Sequence, residues 1–271
     1  VLDGGVVVFD AVAGVEPQSE TVWRQAREFG VPLVAFINKM DKLGADFAGA
    51  VRSISDRLDA HPVPIQWPIG SESSFRGVVD LVEMQAIVWG DGDDEASLVV
   101  ALEDAVPDLL DVVQEMRERM VEQIVESDDD LMGSYLDGED ISSARLREAL
   151  RNATISGRLN PVLCGTALHN RGIRSLLDAV VDLLPSPVDI PPVTGLNPYT
   201  GKMESRAADR KAPFAALVFK IASDPYVGRL AYFRVYSGKL ALGTRVLNST
   251  RDRKERINKL LRMFADHREE I

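Results

Sequence analysis

One cysteine, Cys164, stands among 271 residues. That excludes an internal disulfide and a multi-cysteine metal site, and it suits a reducing compartment. Histidine is nearly as scarce: His61, His169 and His267 are scattered without the spacing of a metal site. No apolar run approaches membrane-spanning length, and nothing resembles a signal peptide. The run Asp128-Asp129-Asp130 lacks the alternating acidic positions, the glycine and the closing glutamate of a calcium loop. It reads instead as charge at a helix N-terminus, so no metal site is expected among these residues.

What is present is the composition of a folded protein of two or three domains, 45% hydrophobic and 27% charged. The net charge of −11 hides a polarity. Residues 91–140 hold 18 Asp or Glu against Arg117 and Arg119, a net of −16, whereas residues 202–271 carry a net of +8. Acidic excess disfavours nucleic acid in the first stretch, and basic excess makes a phosphate-facing surface possible in the second.

The most legible stretch runs from Val6 to Lys42. Val6, Val7, Val8 and Phe9 form a short β-branched and aromatic run closed by a turn signal at Ala13-Gly14. Glu16 and Pro17 sit where a helix starts, Gly30 stops it, and Pro32 keeps the chain from re-entering α. Val22, Ala26 and Phe29 mark its expected apolar face. Leu33 to Ile37 is a second apolar run, short enough for a strand covered on both faces. Two such runs joined by a helix make a βαβ unit of a parallel sheet.

In such sheets ligands bind beyond the carboxyl ends of the strands, and that position holds Asn38-Lys39-Met40-Asp41. A carboxylate fixed there can accept two hydrogen bonds, from an N–H and an adjacent amino group. Guanine presents that pair at N1 and N2, whereas adenine has an acceptor at N1 and no amino group beside it. Leaving the carboxylate unmatched costs more than an ordinary hydrogen bond. Asn38 can brace the loop, and the Lys39 stem can cover a base face. The same four letters also suit a plain polar loop, and the residues alone leave both readings open.

Further on, Ala45 to Leu58 reads as an amphipathic helix with Ala48, Val51, Ile54 and Leu58 on one side. Pro62, Pro64 and Pro68 confine any strand there to an edge or a short one. FRGVVDLV and MQAIVWG read as a hairpin or meander followed by a turn at Gly90–Asp93. Helices are expected over Pro107 to Val125 and over Ser142 to Thr154, the second with serine caps. Pro161 to Cys164 is then another buried-type strand, ending in Gly165-Thr166-Ala167-Leu168 and followed by a helix from Ile173 to Leu184. The βαβ grammar thus returns after a long excursion, which marks the middle as an inserted subdomain. After a Pro/Gly-rich linker, PFAALVFKIASD, GRLAYFRVYSGKL, GTRVLNST and ERINKLLRM read as short alternating strands of a Greek-key barrel cut off before closure. The expected division is 1–58, an inserted 59–159, 160–184, a linker 185–212, and 213–271.

Taken together, GVEPQSETVWRQA, VPLVAFINKMD, CGTALHNRGI, LLDAVVDLLPSPVDIPP, SDPYVGRLAYFRVYSG and RKERINKLLRM resemble elongation factor G, the bacterial-type translocation GTPase, over essentially the whole chain. The resemblance implies a multidomain α/β plus all-β architecture. Residues 1–58 and 160–184 would be the C-terminal half of a P-loop GTPase G domain, a parallel sheet with helices on both faces. Residues 59–159 would be an inserted α+β G′ subdomain, and 213–271 an incomplete domain II β-barrel. Carried over by motif, Asn38, Lys39 and Asp41 with Thr166, Ala167 and Leu168 would bind guanine, the Ala167 N–H lying near O6 of the base. Thr166 departs from the family's serine by a methyl and keeps the hydroxyl.

The implied ligand is GTP or GDP, with magnesium held in the full-length protein through residues absent here. The implied activity is GTP hydrolysis coupled to ribosomal translocation of tRNA and mRNA. The implied partners are the ribosome, ribosomal RNA through a basic barrel face bearing Arg251, Arg253, Lys254 and Arg256, and the ribosomal stalk protein through the acidic G′ subdomain. A cytoplasmic monomer with no membrane contact follows. The phosphate loop G-x-x-x-x-G-K-S/T, the magnesium-binding switch threonine and a D-x-P-G-H loop do not occur in the sequence. The chain opens at VLDGG without methionine. It is therefore expected to be a fragment lacking the N-terminal phosphate-binding half of its G domain, with no catalytic residue and no activity alone. A related GTPase of ribosome recycling or protection, or a non-hydrolysing guanine-nucleotide-binding regulatory protein, is the alternative.

Overall fold

The computed structural model describes residues 1–90, 97–224, 228–264 and 267–271. Of the turn expected at Gly90–Asp93, all but Gly90 lies outside the described residues. The chain divides into two compact units, Leu2–Ser186 and Pro187–Ile271 together with Val1.

In the first unit the two apolar runs are β1 (Gly5–Asp10) and β2 (Leu33–Asn38), joined by α1 (Pro17–Glu28). They pair in parallel from Gly5↔Leu33 to Asp10↔Asn38. Next come α2 (Phe47–Leu58) and the short β3 (Pro62–Pro64). A second, antiparallel sheet takes β4 (Gln66–Ile69), β5 (Gly77–Asp80), β6 (Gln85–Trp89) and β7 (Ser97–Val100) in that spatial order. Helices α3 (Leu102–Ala105), α4 (Leu110–Val125), α5 (Asp129–Leu136) and α6 (Ser143–Ile155) follow. The chain then returns through β8 (Asn160–Cys164) and α7 (Ile173–Leu183). Because β8 enters between β2 and β3, the parallel sheet runs β1-β2-β8-β3.

The central position of β2 and β8 explains their unbroken apolar character. Every residue from Leu33 to Ile37 and every residue of β8 is buried, as expected for a sheet covered on both faces. Successive side chains still go to opposite sides. Leu33, Ala35 and Ile37 share one core with Phe9, Trp23, Phe47 and Ile54; Val34 and Phe36 share the other with Leu163, Met120, Leu150 and Ala179. Cys164 is buried in the first of these cores, and burial pushes its thiol pKa up.

Two helix faces differ from expectation. In α1 the buried residue is Trp23, against Phe9 at 6.1 Å between ring centroids, while Val22 and Phe29 are 48% and 78% exposed. The largest apolar side chain sets the rotation of the helix, and Val22 is turned away as its neighbour. In α2 the buried set is Phe47, Ala50, Ile54 and Leu58, shifted from the expected face. Asp46 caps the helix by accepting from the Gly49 N–H, which starts it later than the apolar pattern suggested. The stretch from Pro107 opens with a short 3-10 turn, Pro107–Leu109, before α4. As read, the Asp128 side chain caps α5, accepting from the Asp130 and Leu131 N–H groups.

The second unit is all-β. Its described residues form four antiparallel hairpins: β9 (Val193–Leu196) with β10 (Met203–Arg206), β11 (Ala215–Asp224) with β12 (Gly228–Ser237), β13 (Arg245–Asn248) with β14 (Arg253–Arg256), and β15 (Leu261–Phe264) with β16 (His267–Glu270). Among the described residues each of these sheets has two strands. The first hairpin stands inside the stretch read as a linker, and ERINKLLRM is not one strand but the end of β14 and the start of β15. The break is fixed where Gly243 N–H and Thr244 O both bond Ile257, closing the β13–β14 hairpin behind Arg256.

Candidate functional site

The carboxyl ends of β2 and β8 lie side by side, with Ile37 opposite Cys164. Asn38–Asp41 and Gly165–Leu168 therefore leave the sheet next to each other. The ladder continues into them: Gly165 N–H donates to Ile37 O at 3.0 Å, and Met40 N–H to Gly165 O at 3.2 Å. Asn38 joins the two loops. Its Oδ1 accepts from the Lys39 N–H at 2.8 Å and from the Ala167 N–H at 2.9 Å.

Lys39 adopts φ 66°, a left-handed conformation that costs a non-glycine residue energy. Its Nζ lies 2.5 Å from Asp10 Oδ2 at the end of β1. That hydrogen bond, with the Val12 and Ala13 N–H groups on Oδ1, holds the Asp10 carboxyl below the usual range, and Asp10 in turn raises the Lys39 pKa. Met40, 1% exposed, pins the loop into the core. Asp41 stays partly exposed, with His169 Nε2 at 3.7 Å from its Oδ2.

On the other loop, Gly165 is needed for close approach: a Cβ there would stand 2.3 Å from Arg171 O and 2.8 Å from Phe36 Cζ. Thr166 is buried, and its backbone exchanges hydrogen bonds with that of Arg171 at 3.0 and 3.2 Å. Leu168 is 86% exposed. The arrangement thus groups a reachable carboxylate, the aliphatic Lys39 stem and an exposed leucine at a sheet end. Such a set can match a planar ring carrying an N–H beside an amino group. The Ala167 N–H, which the resemblance aims at guanine O6, is donated to Asn38 in this structure.

All six residues expected to bind guanine are brought together. Asp10, Glu72, His169 and Arg171 join them. His169 and Arg171 lie within the CGTALHNRGI run, to which no role was assigned beyond Leu168, while Asp10 and Glu72 were not singled out by the sequence. The four expected RNA-facing cations sit on the β13–β14 hairpin, all exposed. Arg251 is in its turn, and strand alternation puts Arg253 on the face opposite Lys254 and Arg256. Arg253 Nε donates to Glu255 Oε1 at 2.9 Å, so one of the four is already paired. Among the described residues no group of three or more His, Cys, Asp or Glu side chains could hold a metal ion, and no helix is long and apolar enough to cross a membrane.

Two family models match the chain: the elongation factor Tu GTP binding domain over residues 1–186, and elongation factor G domain 2 over residues 213–271. A solved structure from Thermus thermophilus is similar, with a TM-score of 0.78 and 26% identity over 99% of this chain. The chain spans 36% of that protein's length. The match starting at residue 1 corrects the expectation of a fragment without the phosphate-binding half of its G domain. That expectation rested on missing strings of single loops, whereas the family model matches residues 1–186, which include all four strands of the parallel sheet.

Proposed function

Since the chain belongs to the translational GTPase family, through the elongation factor Tu GTP binding domain matched over residues 1–186 and elongation factor G domain 2 over 213–271, we propose that it reads the guanine base of GTP or GDP in a protein that drives translocation of tRNA and mRNA on the ribosome. The observation that carries this reading is the Asn38 bridge, which fixes the loop of Asp41 against the loop of Ala167. Asp41 then accepts from guanine N1–H and the 2-amino group, the Lys39 stem covers one face of the ring, and Leu168 offers apolar contact at its edge. Asn38 shares or yields the Ala167 N–H when a carbonyl oxygen of the base arrives.

GTP hydrolysis belongs to the full-length protein, which sets the phosphates, magnesium and attacking water in place. The groups gathered around Asp41 address the base and not that chemistry. The protein works as a cytoplasmic monomer on the ribosome. Its basic hairpin with Arg251, Lys254 and Arg256 faces ribosomal RNA, and the acidic G′ insertion, 59–159, serves the stalk protein.

The test is a change of base. In the full-length protein Asp41→Asn replaces the double acceptor by an amide, whose donor suits the 2-oxo group of xanthine. GDP affinity should fall at least about a hundredfold, by the loss of two charge-assisted hydrogen bonds, and xanthosine diphosphate should gain on it. Unchanged GDP-over-XDP selectivity would place Asp41 outside the base site.

A further inference from the structure

The two loops of the candidate site are also held from outside the parallel sheet, by the turn between β4 and β5. Glu72 in that turn grips the Asp41 loop on both sides of the aspartate. Its backbone N–H donates to Met40 O at 2.8 Å, and its Oε1 accepts from the Gly44 N–H at 2.7 Å. Three residues on, Phe75 O accepts from Arg171 Nη1 at 3.2 Å, and the backbone of Arg171 is bonded to that of Thr166. One short turn of the antiparallel sheet thus touches both base loops.

The turn is held in an unusual backbone shape. Glu72 takes φ 55°, as a partly exposed non-glycine residue. Gly70 takes φ +78°, where a Cβ would stand 2.2 Å from Ser74 O. Ser74 Oγ donates to Ser71 O and accepts from the Ser71 N–H, which locks the turn in this shape. Beneath it Phe75 is 2% exposed, 5.3 Å from the Trp89 ring, so the turn stands on a fixed base. Left-handed backbone at a non-glycine residue is costly and persists where the surroundings over-determine it. Here it recurs at Lys39, Glu72 and Asn170, one in each of the three segments that meet.

We infer that the β4–β5 turn is a clamp that sets the spacing of the two base loops, with Glu72 the positioning residue for the loop of Asp41 and Arg171 for the loop of Ala167. The assignment rests on the guanine reading above and extends it to the antiparallel sheet. Met40 and Gly165 hold the loops from the inner side, and Glu72 holds the outer side through the Gly44 N–H and the Met40 carbonyl. Without it the 41–44 segment loses the anchor that ties it to the antiparallel sheet, and the carboxylate is presented to the base over a wider range of angles.

The experiment compares Glu72→Ala, Glu72→Gln and Arg171→Met in the full-length protein by titration with a fluorescent GDP, competition with XDP, and amide hydrogen exchange. Glu72→Ala should raise the GDP dissociation constant about tenfold, the worth of one hydrogen bond to a charged group, and narrow the GDP-over-XDP preference. Glu72→Gln keeps an oxygen for the Gly44 N–H and should stay within about threefold of wild type. Arg171→Met should lower affinity in the same sense as Glu72→Ala. Gly44 should exchange faster in Glu72→Ala while Val34 and Phe36 do not change. Wild-type GDP affinity and selectivity in a folded Glu72→Ala protein overturns the assignment, as does a Glu72→Gln protein as impaired as the alanine variant. Were the wild type itself to show no preference for guanine, the base reading would fail separately; unchanged Gly44 exchange in Glu72→Ala would then refute the clamp on its own terms.

Discussion

Replacing Asn38 by alanine removes one oxygen that two backbone donors share. The Lys39 N–H at 2.8 Å and the Ala167 N–H at 2.9 Å both lose their acceptor. A net hydrogen bond is worth about 1 kcal/mol, and an unsatisfied donor costs more where water cannot replace the partner. Ala167 is exposed and regains water; Lys39 is half-buried and held at φ 66°, a conformation the bond helps to keep. The two losses together come to about 2 kcal/mol. With a urea slope of about 2–3 kcal/mol per molar, the midpoint should drop by roughly 0.7–1 M. The three tryptophans, Trp23, Trp67 and Trp89, all lie in Leu2–Ser186, so fluorescence follows that unit's transition separately from the hairpin unit. Asn38→Asp supplies the control. A carboxylate still accepts from both N–H groups and should keep the midpoint, but it sets a second negative charge beside Asp41 and should weaken GDP binding. A midpoint within about 0.2 M of wild type in Asn38→Ala, well inside the shift expected from two lost bonds, would refute the view that this amide joins the loops.

Two further outcomes follow from the same geometry. Gly165→Ala drives a Cβ toward Arg171 O at 2.3 Å and Phe36 Cζ at 2.8 Å; since the first obstacle is backbone, the loop must shift, with a loss of about 1–3 kcal/mol in urea unfolding and weaker GDP binding. A stable variant with wild-type affinity would show that the loops can separate freely. Asp80 is raised above its usual carboxylate pKa by burial, despite two N–H bonds from Val82 and Glu83. Between the unfolded value of 3.8 and the raised folded value the native state binds the extra proton, so this group's contribution to stability falls as pH rises through that window. Asp80→Asn keeps an acceptor for both N–H groups and should be at least as stable as wild type at pH 7, the difference vanishing below pH 3.8. Marked destabilisation of Asp80→Asn at pH 7 would mean that the nearby Arg117 and Arg147 favour the charge more than burial opposes it.

The parallel framework was legible because β2 and β8 are apolar without alternation, a pattern that only strands buried on both faces require. The return of β8 to the same sheet was legible from the same signal: a further buried-type strand followed by a helix repeats the pattern of the first βαβ unit. Helix rotation was less legible. Val22 and Phe29 match a helical period as well as Trp23 does, and only the position of Phe9 in β1 decides which is buried. In the candidate site the division has a different origin. Asn38, Asp41 and Gly165 follow strands directly, so their place is dictated by a few residues of local chain. Glu72 follows β4, a strand of the other sheet, and reaches Met40 and Gly44 only because the turn is forced into a left-handed shape by Gly70, Ser71 and Ser74. No spacing in the sequence links residue 72 to residue 44, since the contact depends on how one sheet edge is set against a loop of another. A sequence motif therefore reports the groups that meet the ligand, while the groups that hold them in place are set by tertiary contact. Substitutions at Glu72 and Arg171 would leave the motif letters intact and still move the base site.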